Sequence, residues 1–213
     1  MAFNVYFIRH GQTILNKYNR MQGWCDSPLT AKGLADAKEV GQKLAEIKFD
    51  HAFHSDTMRA QNTCLNLLAQ NKHETPTPAV MPEFREQGYG YFEGADSGNA
   101  WMMIGGPHGC RTFKELITTY SIEEARNFAK EADPFNDAEN DADFQARIDL
   151  GLAKLRQQTH DGQNIVIVSH GTTIRSLVHR FAPETDITIG PRNGSITKFS
   201  ISDDQVNLEF YNH

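Results

Sequence analysis

Residues 165–174 read Ile165-Val166-Ile167-Val168-Ser169-His170-Gly171-Thr172-Thr173-Ile174: a run of β-branched apolar residues that ends abruptly at serine, histidine and glycine. Near the N-terminus the pattern recurs, where Phe3 to Ile8 runs into Arg9-His10-Gly11-Gln12-Thr13-Ile14. Short apolar runs closed by turn residues predict buried strands. Each of these two strands is followed at once by histidine and then glycine at a strand-to-helix junction. In an open parallel sheet ligands bind beyond the carboxyl ends of the strands, where the following helices aim free backbone N–H groups at anions. Two histidines are therefore expected to face one anionic pocket, with glycines where the backbone must come close to the ligand.

Outward from these two junctions, strands and helices alternate. Thr30 is placed to cap a helix with Leu34, Ala37, Val40, Leu44 and Ile47 on its apolar face, a spacing that lays a helix on a sheet. His51 to His54 then leads into Ser55 and Asp56, read as the cap of a further helix carrying Met58, Leu65 and Leu68. Ala79 to Met81 is expected as another strand, and the Gly- and aromatic-rich stretch from Gly88 to Gly109, which has no period, as loop. Ser121 with Glu124 forms a capping-box pattern for a helix to about Lys130. Phe144, Ile148, Leu152 and Leu155 mark the helix before the Ile165 strand. Ser195–Ile201 and Val206–Phe210 read as a closing hairpin. The alternation predicts an α/β fold, a three-layer α/β/α sandwich with a mostly parallel central sheet. One domain spanning residues 1–213 is expected, with an inserted, lid-like segment at about 90–140.

Composition narrows the function classes. The chain has 213 residues, 39% of them hydrophobic, with 8 Pro and 16 Gly, which excludes disordered and collagen-like classes. Lys plus Arg number 21 against 27 Asp plus Glu, a net charge of −6, so nucleic acid is not an expected partner. Cys25, Cys64 and Cys110 are odd in number and form no Cys-x-x-Cys clip, which fits a reducing compartment. No apolar run approaches the roughly 20 residues that span a bilayer, and the first residues carry no cleavable signal pattern, so a cytoplasmic protein without a membrane partner is expected.

Arginine sharpens the anionic site. Arg9 precedes His10, and Arg59 falls in the first turn of a helix that opens onto the same sheet edge. Guanidinium forks onto phosphate oxygens and is always charged, so two arginines and two histidines converging on one edge point to a phosphoryl site. A metal hydrolase is disfavoured: His51 and His54 lie three apart in an extended segment and point to opposite faces, and no His-Glu-x-x-His motif is present. No metal and no cofactor are expected. Ser169 beside His170 lacks the Gly-x-Ser-x-Gly elbow of a serine nucleophile.

Four blocks carry a resemblance. The first is Arg9-His10-Gly11-Gln12-Thr13 with Asn16, Gln22-Gly23, Asp26, Pro28-Leu29-Thr30 and Gly33; the second is Ser55-Asp56, Arg59-Ala60 and Thr63. Glu86 with Gly90, Glu93 and Gly94 forms the third, and Ser169-His170-Gly171 with Ile174-Arg175 the last. Through them the chain resembles the histidine phosphatase superfamily, in the branch that includes cofactor-dependent phosphoglycerate mutase. The resemblance implies a phosphoglycerate mutase-like fold in which His10 becomes phosphorylated, Arg9, Arg59 and His170 hold the phosphoryl group, and Glu86 donates the proton. It further implies hydrogen bonds from Asn16 and the Gly171 N–H, with Gln22, Gly23 and Tyr89 beside the substrate. The chemistry is sound on its own terms: a neutral imidazole attacks phosphorus while nearby cations lower its pKa and neutralise charge growing on the oxygens.

Phosphatase and mutase share such a core. Asn19-Arg20, Gly23-Trp24 and Tyr89-Gly90 are similar to the mutase pattern, whereas Ala95-Asp96-Ser97-Gly98-Asn99 has no lysine where the mutases carry one. An adjacent arginine pair is missing too, and Arg111 stands alone in the inserted segment, leaving a second phosphate or carboxylate poorly provided for. The expected activity is thus a metal-independent phosphatase acting on a small phosphomonoester. A mutase and a non-catalytic phosphate-binding module are the alternatives, and a homodimer is left open. Tyr89, Tyr91, Phe92, Trp101, Met102 and Met103 are expected either to line an apolar lid or to form a small satellite core under the loop.

Overall fold

The computed structural model describes residues 2–213. Strand β1 (Ala2–Arg9) is followed by a one-turn helix α1 (Ile14–Lys17) and by α2 (Ala31–Lys43), and β2 (His51–His54) by α3 (Met58–Leu68). After β3 (Ala79–Val80) come α4 (Ser97–Gly105), α5 (Phe113–Thr119), α6 (Ile122–Ala132) and the long α7 (Asp141–Gln158). Strand β4 (Asn164–Ser169), helix α8 (Gly171–Phe181) and the hairpin β5 (Ile196–Ser202) and β6 (Val206–Phe210) complete the chain. The six strands form one sheet in the order β3-β2-β4-β1-β5-β6. β3, β2, β4 and β1 run parallel, while β5 and β6 add antiparallel at one side.

The two-residue period of a strand sorts its side chains onto opposite faces. Phe3, Val5 and Phe7 of β1, with Ile165 and Ile167 of β4, pack against Ile148, Leu152 and Leu155 of α7 and Ile174, Leu177 and Val178 of α8. Tyr6, Ile8, Val166 and Val168 face the other way, onto Val40 of α2 and Ala60, Cys64 and Leu67 of α3. Helices on both faces make the three-layer sandwich, and burying each fully enclosed Ile or Phe is worth about 1.5–3 kcal/mol.

Four local expectations are corrected. The cap of α3 is Thr57, whose side chain accepts from the Ala60 N–H; Ser55, which sequence placed in that role, is pulled into the site instead. Of the predicted apolar face of α3 only Leu68 is buried, while Met58 and Leu65 are exposed and Ala60, Thr63, Cys64 and Leu67 form the inner face. Leu34 of α2 is likewise exposed. The stretch from Gly88 to Gly109 is not all loop, because Asp96 accepts from the Asn99 N–H and starts α4. Its helical signal is hidden by glycines at both ends.

Segment 90–140 carries α4 to α6 and its own cluster of Phe92, Ala100, Trp101, Ile104, Leu116, Ala125 and Ala129, with Met21 and Tyr89 reaching into it. Of the two expectations for this stretch, the satellite core holds for Tyr89, Phe92 and Trp101, of which Tyr89 and Trp101 also line the cavity described below, whereas Tyr91, Met102 and Met103 face solvent.

Candidate active site

The sheet register builds the centre of the site. Arg9 of β1 is paired with Ser169 of the parallel neighbour β4, so the next residues on each strand, His10 and His170, emerge side by side. Their ring centroids lie 5.1 Å apart, close to the spacing of adjacent strands. On the other side of β4, His54 pairs with Val168, which puts Ser55 level with Ser169 and its hydroxyl 2.7 Å from Nε2 of the next residue, His170. The sequence echo is thus a spatial juxtaposition.

His10 is buried, and its Nδ1 lies 2.8 Å from the Gly11 carbonyl. A carbonyl only accepts, so Nδ1 carries the proton and the lone pair is on Nε2. Burial holds the His10 pKa well below its ordinary value, and the Arg59 and Arg9 charges push it the same way against the Gly11 hydrogen bond. The ring is therefore neutral at pH 7. His170 is also held well below its ordinary value, by burial first and by Arg59 next.

Arg59 is fully buried in the first turn of α3. Its guanidinium donates to the carbonyls of Gly23 at 2.6 Å and Cys25 at 2.8 Å, to Asp26 at 3.0 Å and to Nδ1 of His170 at 3.1 Å. The N–H groups of the same loop go to Glu93, which accepts from Gly23 at 3.0 Å, Trp24 at 2.8 Å and Cys25 at 3.1 Å, and from Tyr89 at 3.0 Å. Arg59 and Glu93 together satisfy the three N–H groups of residues 23–25 and the carbonyls of Gly23 and Cys25, which no regular element does.

Glu86 sits at the N-terminus of α8. Oε2 accepts from the Thr172 N–H at 2.9 Å, and Oε1 from the N–H groups of Thr173 at 2.9 Å and Gln87 at 3.0 Å and from the Thr173 hydroxyl at 3.1 Å. A negative group is favoured at that end of a helix dipole. From behind, Arg147 of α7 donates to the carbonyls of Glu83, Arg85 and Glu86 and pairs with Glu139, fixing the loop that carries Glu86. The first helical N–H of α8, on Gly171, has no intrahelical partner. A Cβ on Gly171 would lie 3.2 Å from Nε of Arg9, so glycine is what lets that guanidinium rest on the helix end.

These groups open onto a cavity of about 310 Å³ lined by Arg9, His10, Asn16, Gln22, Glu86, Tyr89 and Gly171, with Arg20, Arg175 and Asn193 beside them. Asn16 Oδ1 is occupied by the Thr13 N–H at 3.2 Å, which leaves its amide N–H groups for a ligand. Asn193 donates to the His10 carbonyl at 2.9 Å. The Tyr89 hydroxyl, its pKa raised by burial, meets Thr172 Oγ1 at 3.0 Å. Arg59 and His170 are not on the cavity wall but lie beneath it, fully buried beside His10. Gly23 is also off the wall, wedged where a Cβ would meet the Gln87 carbonyl at 2.0 Å.

Sequence reasoning missed the contributions of Ser55, Asn193, Arg147 and Thr172. The only local signal was for Ser55, which was mistaken for a cap. Arg20 and Arg175 stood within the matched motifs without an assigned role. Among the described residues, no cluster of three or more His, Cys, Asp or Glu is arranged to hold a metal, and no helix is long and apolar enough to cross a membrane.

Known proteins place this geometry. A phosphoglycerate mutase from Bacillus anthracis is 32% identical, superimposes with a TM-score of 0.92, and is covered over 93% of its chain by 99% of this one. The alpha-ribazole phosphatase from Shigella flexneri is 25% identical with a TM-score of 0.72, covering 99% of this chain and 96% of that chain. A 2,3-bisphosphoglycerate-dependent phosphoglycerate mutase of Sinorhizobium fredii is 30% identical over 185 residues, 84% of this chain and 79% of that protein. The sequence profile of the histidine phosphatase superfamily (branch 1) matches residues 5–101 and 104–213, nearly the whole length. With paired histidines, buried arginine and helix-bound glutamate in one place, the chain belongs to the histidine phosphatase superfamily.

Proposed function

We propose that the protein is a phosphatase that hydrolyses a small phosphomonoester through a phosphohistidine on His10, with no metal in the reaction. The observation that carries this reading is the 2.8 Å contact from His10 Nδ1 to the Gly11 carbonyl, which leaves a neutral ring with its lone pair on Nε2. In the first half-reaction Nε2 attacks phosphorus while the P–O bond to the leaving group breaks, and Glu86 gives the departing alkoxide its proton. In the second, Glu86 takes a proton from water, which attacks phosphorus and frees His10. Arg9, Asn16 and the Gly171 N–H hold the transferring phosphoryl oxygens. Arg59 and His170 act from beneath, Arg59 by its charge and His170 by packing against the nucleophile.

The test is phosphate release from an aryl phosphate by chelator-treated protein, beside the His10→Ala variant. Release that the variant lacks is expected; equal release from both would overturn the assignment.

The mutase reading has its own support in the phosphoglycerate mutases of B. anthracis and S. fredii. Support for water as the acceptor includes the likeness to the alpha-ribazole phosphatase and the missing lysine after Gly94. Transfer of phosphate between hydroxyls of a phosphoglycerate, without release of phosphate, would favour the mutase.

A further inference from the structure

We propose that Glu139 and Arg147 are positioning residues for the proton transfer made by Glu86: a buried ion pair that aims this carboxyl at the leaving oxygen without touching the substrate. This rests on the phosphoester reading of the site and adds to it what directs the acid.

Residues 85–89, which carry Glu86, form neither helix nor strand, so their course depends on the groups that satisfy their main chain. Arg147, about two turns into α7, supplies much of this. Its Nη1 donates to the carbonyls of Glu83 at 2.7 Å and Arg85 at 2.9 Å, and Nη2 to that of Glu86 at 3.1 Å. Nε and Nη2 also donate to Glu139, at 2.6 Å to Oε1 and 2.9 Å to Oε2. All five guanidinium N–H groups are thus engaged, whereas the buried Arg59 and Arg126 leave Nε without a partner. Glu139 grips the far end of the same loop: its carboxylate accepts from the Gly88 N–H at 3.3 Å, and its own N–H donates to the Gly88 carbonyl at 2.9 Å.

The pair is itself held in place. The side chains of Glu139 and Arg147 are 5% and 15% exposed, and the Arg147 guanidinium lies over the Phe144 ring at 4.4 Å. Asp133 accepts from the N–H groups of Asp137 at 2.9 Å and Ala138 at 2.7 Å, fixing the turn that leads into Glu139. Neither Glu139 nor Arg147 lines the cavity of His10, so they act on the reaction from behind the loop. A buried ion pair does little for a fold that apolar residues of like volume would not. Holding an acid is a different demand, since misplacing a reacting group by about 1 Å costs about 100-fold in rate. The step served is the first half-reaction. As the P–O bond to the leaving group breaks, its electron pair passes to the departing oxygen, which takes the Glu86 proton and leaves a carboxylate.

Two esters separate positioning from general damage: benzyl phosphate, whose leaving oxygen needs a proton, and p-nitrophenyl phosphate, whose leaving group departs without one. Release of the alcohol or phenol is measured for each. Arg147→Lys keeps the charge that bears on His170 but not the fork. It should lower kcat/KM on benzyl phosphate by about 100-fold and on p-nitrophenyl phosphate far less. Added to Glu86→Gln, it should cost nothing further on benzyl phosphate, because the group it positions is gone. Glu139→Gln keeps the shape but turns an amide NH₂ toward donors; it should repeat the pattern, and it keeps the test valid if Arg147→Lys does not fold. Equal losses on both esters, full activity on benzyl phosphate, or losses that add in the double variant would overturn the proposal. Alcohol release is a step of phosphatase and mutase alike. Labelled phosphate that stays on the protein instead of passing to water would therefore count against the phosphatase reading alone and leave the ester ratio to decide this one.

Discussion

Nη2 of Arg59 lies 3.1 Å from Nδ1 of His170, so a buried guanidinium donates into the lone pair of a buried imidazole. His170 must then carry its proton on Nε2, which donates to Ser55 Oγ at 2.7 Å. Arg59 in this way sets the tautomer of one histidine and lowers the pKa of both. Arg59→Met keeps the volume but removes the charge. The pKa values of His10 and His170 should both rise, read by NMR titration of the imidazole protons. Loss of the Asp26 pair and of the Gly23 and Cys25 carbonyl contacts should cost about 3–5 kcal/mol of stability. Unchanged histidine titration would show that burial alone sets them.

The nucleophile is separable from the fold. His10→Ala should lower turnover by about 10⁴-fold or more, with the circular dichroism spectrum and unfolding midpoint retained. Trapping of labelled phosphate on wild-type protein but not on the variant checks the intermediate.

Glu86→Gln keeps the shape but cannot give up a proton, and it turns an amide NH₂ toward N–H groups that Glu86 now accepts from. Turnover of an alkyl phosphate should fall by about 10²–10⁴-fold, while an aryl phosphate, whose leaving group needs no proton, should be affected far less. Equal losses for both esters would remove Glu86 from the role of acid.

Gly171→Ala tests the seat of Arg9. The added Cβ falls 3.2 Å from Arg9 Nε and displaces the guanidinium, while alanine suits a helix better than glycine. Inhibition by inorganic phosphate or vanadate should weaken by about 10-fold, with stability unchanged or higher in thermal unfolding.

Acid should destabilise the protein through its two buried histidines. In the unfolded chain they take up protons near the ordinary value of 6.5, whereas folded His10 and His170 resist protonation to well below it. The unfolded state therefore binds more protons as pH drops below about 6.5, and stability falls there. The unfolding midpoint should decline from pH 7 to pH 5, with a shallower slope in His170→Asn. A slope identical to wild type would assign the loss to other groups.

Sequence alone determined the elements whose signal is local. Apolar runs closed by His-Gly marked β1 and β4, threonine at position 30 capped α2, and the separation of Ser202 to Asp204 marked the closing hairpin. The convergence of His10, His170, Arg9 and Glu86 was legible because Arg9 ends one strand, His10 and His170 each follow a strand end, and the motif spacing located Glu86. Tertiary structure decided what depends on register and on contacts between distant segments. Only pairing of Arg9 with Ser169 and His54 with Val168 brings Ser55 to His170 and frees Thr57 to cap α3. The same holds for the cavity arginines. A sequence shows that Arg20 and Arg175 exist, but that they line one cavity is decided by the meeting of segments more than 100 residues apart, which only the folded chain brings together.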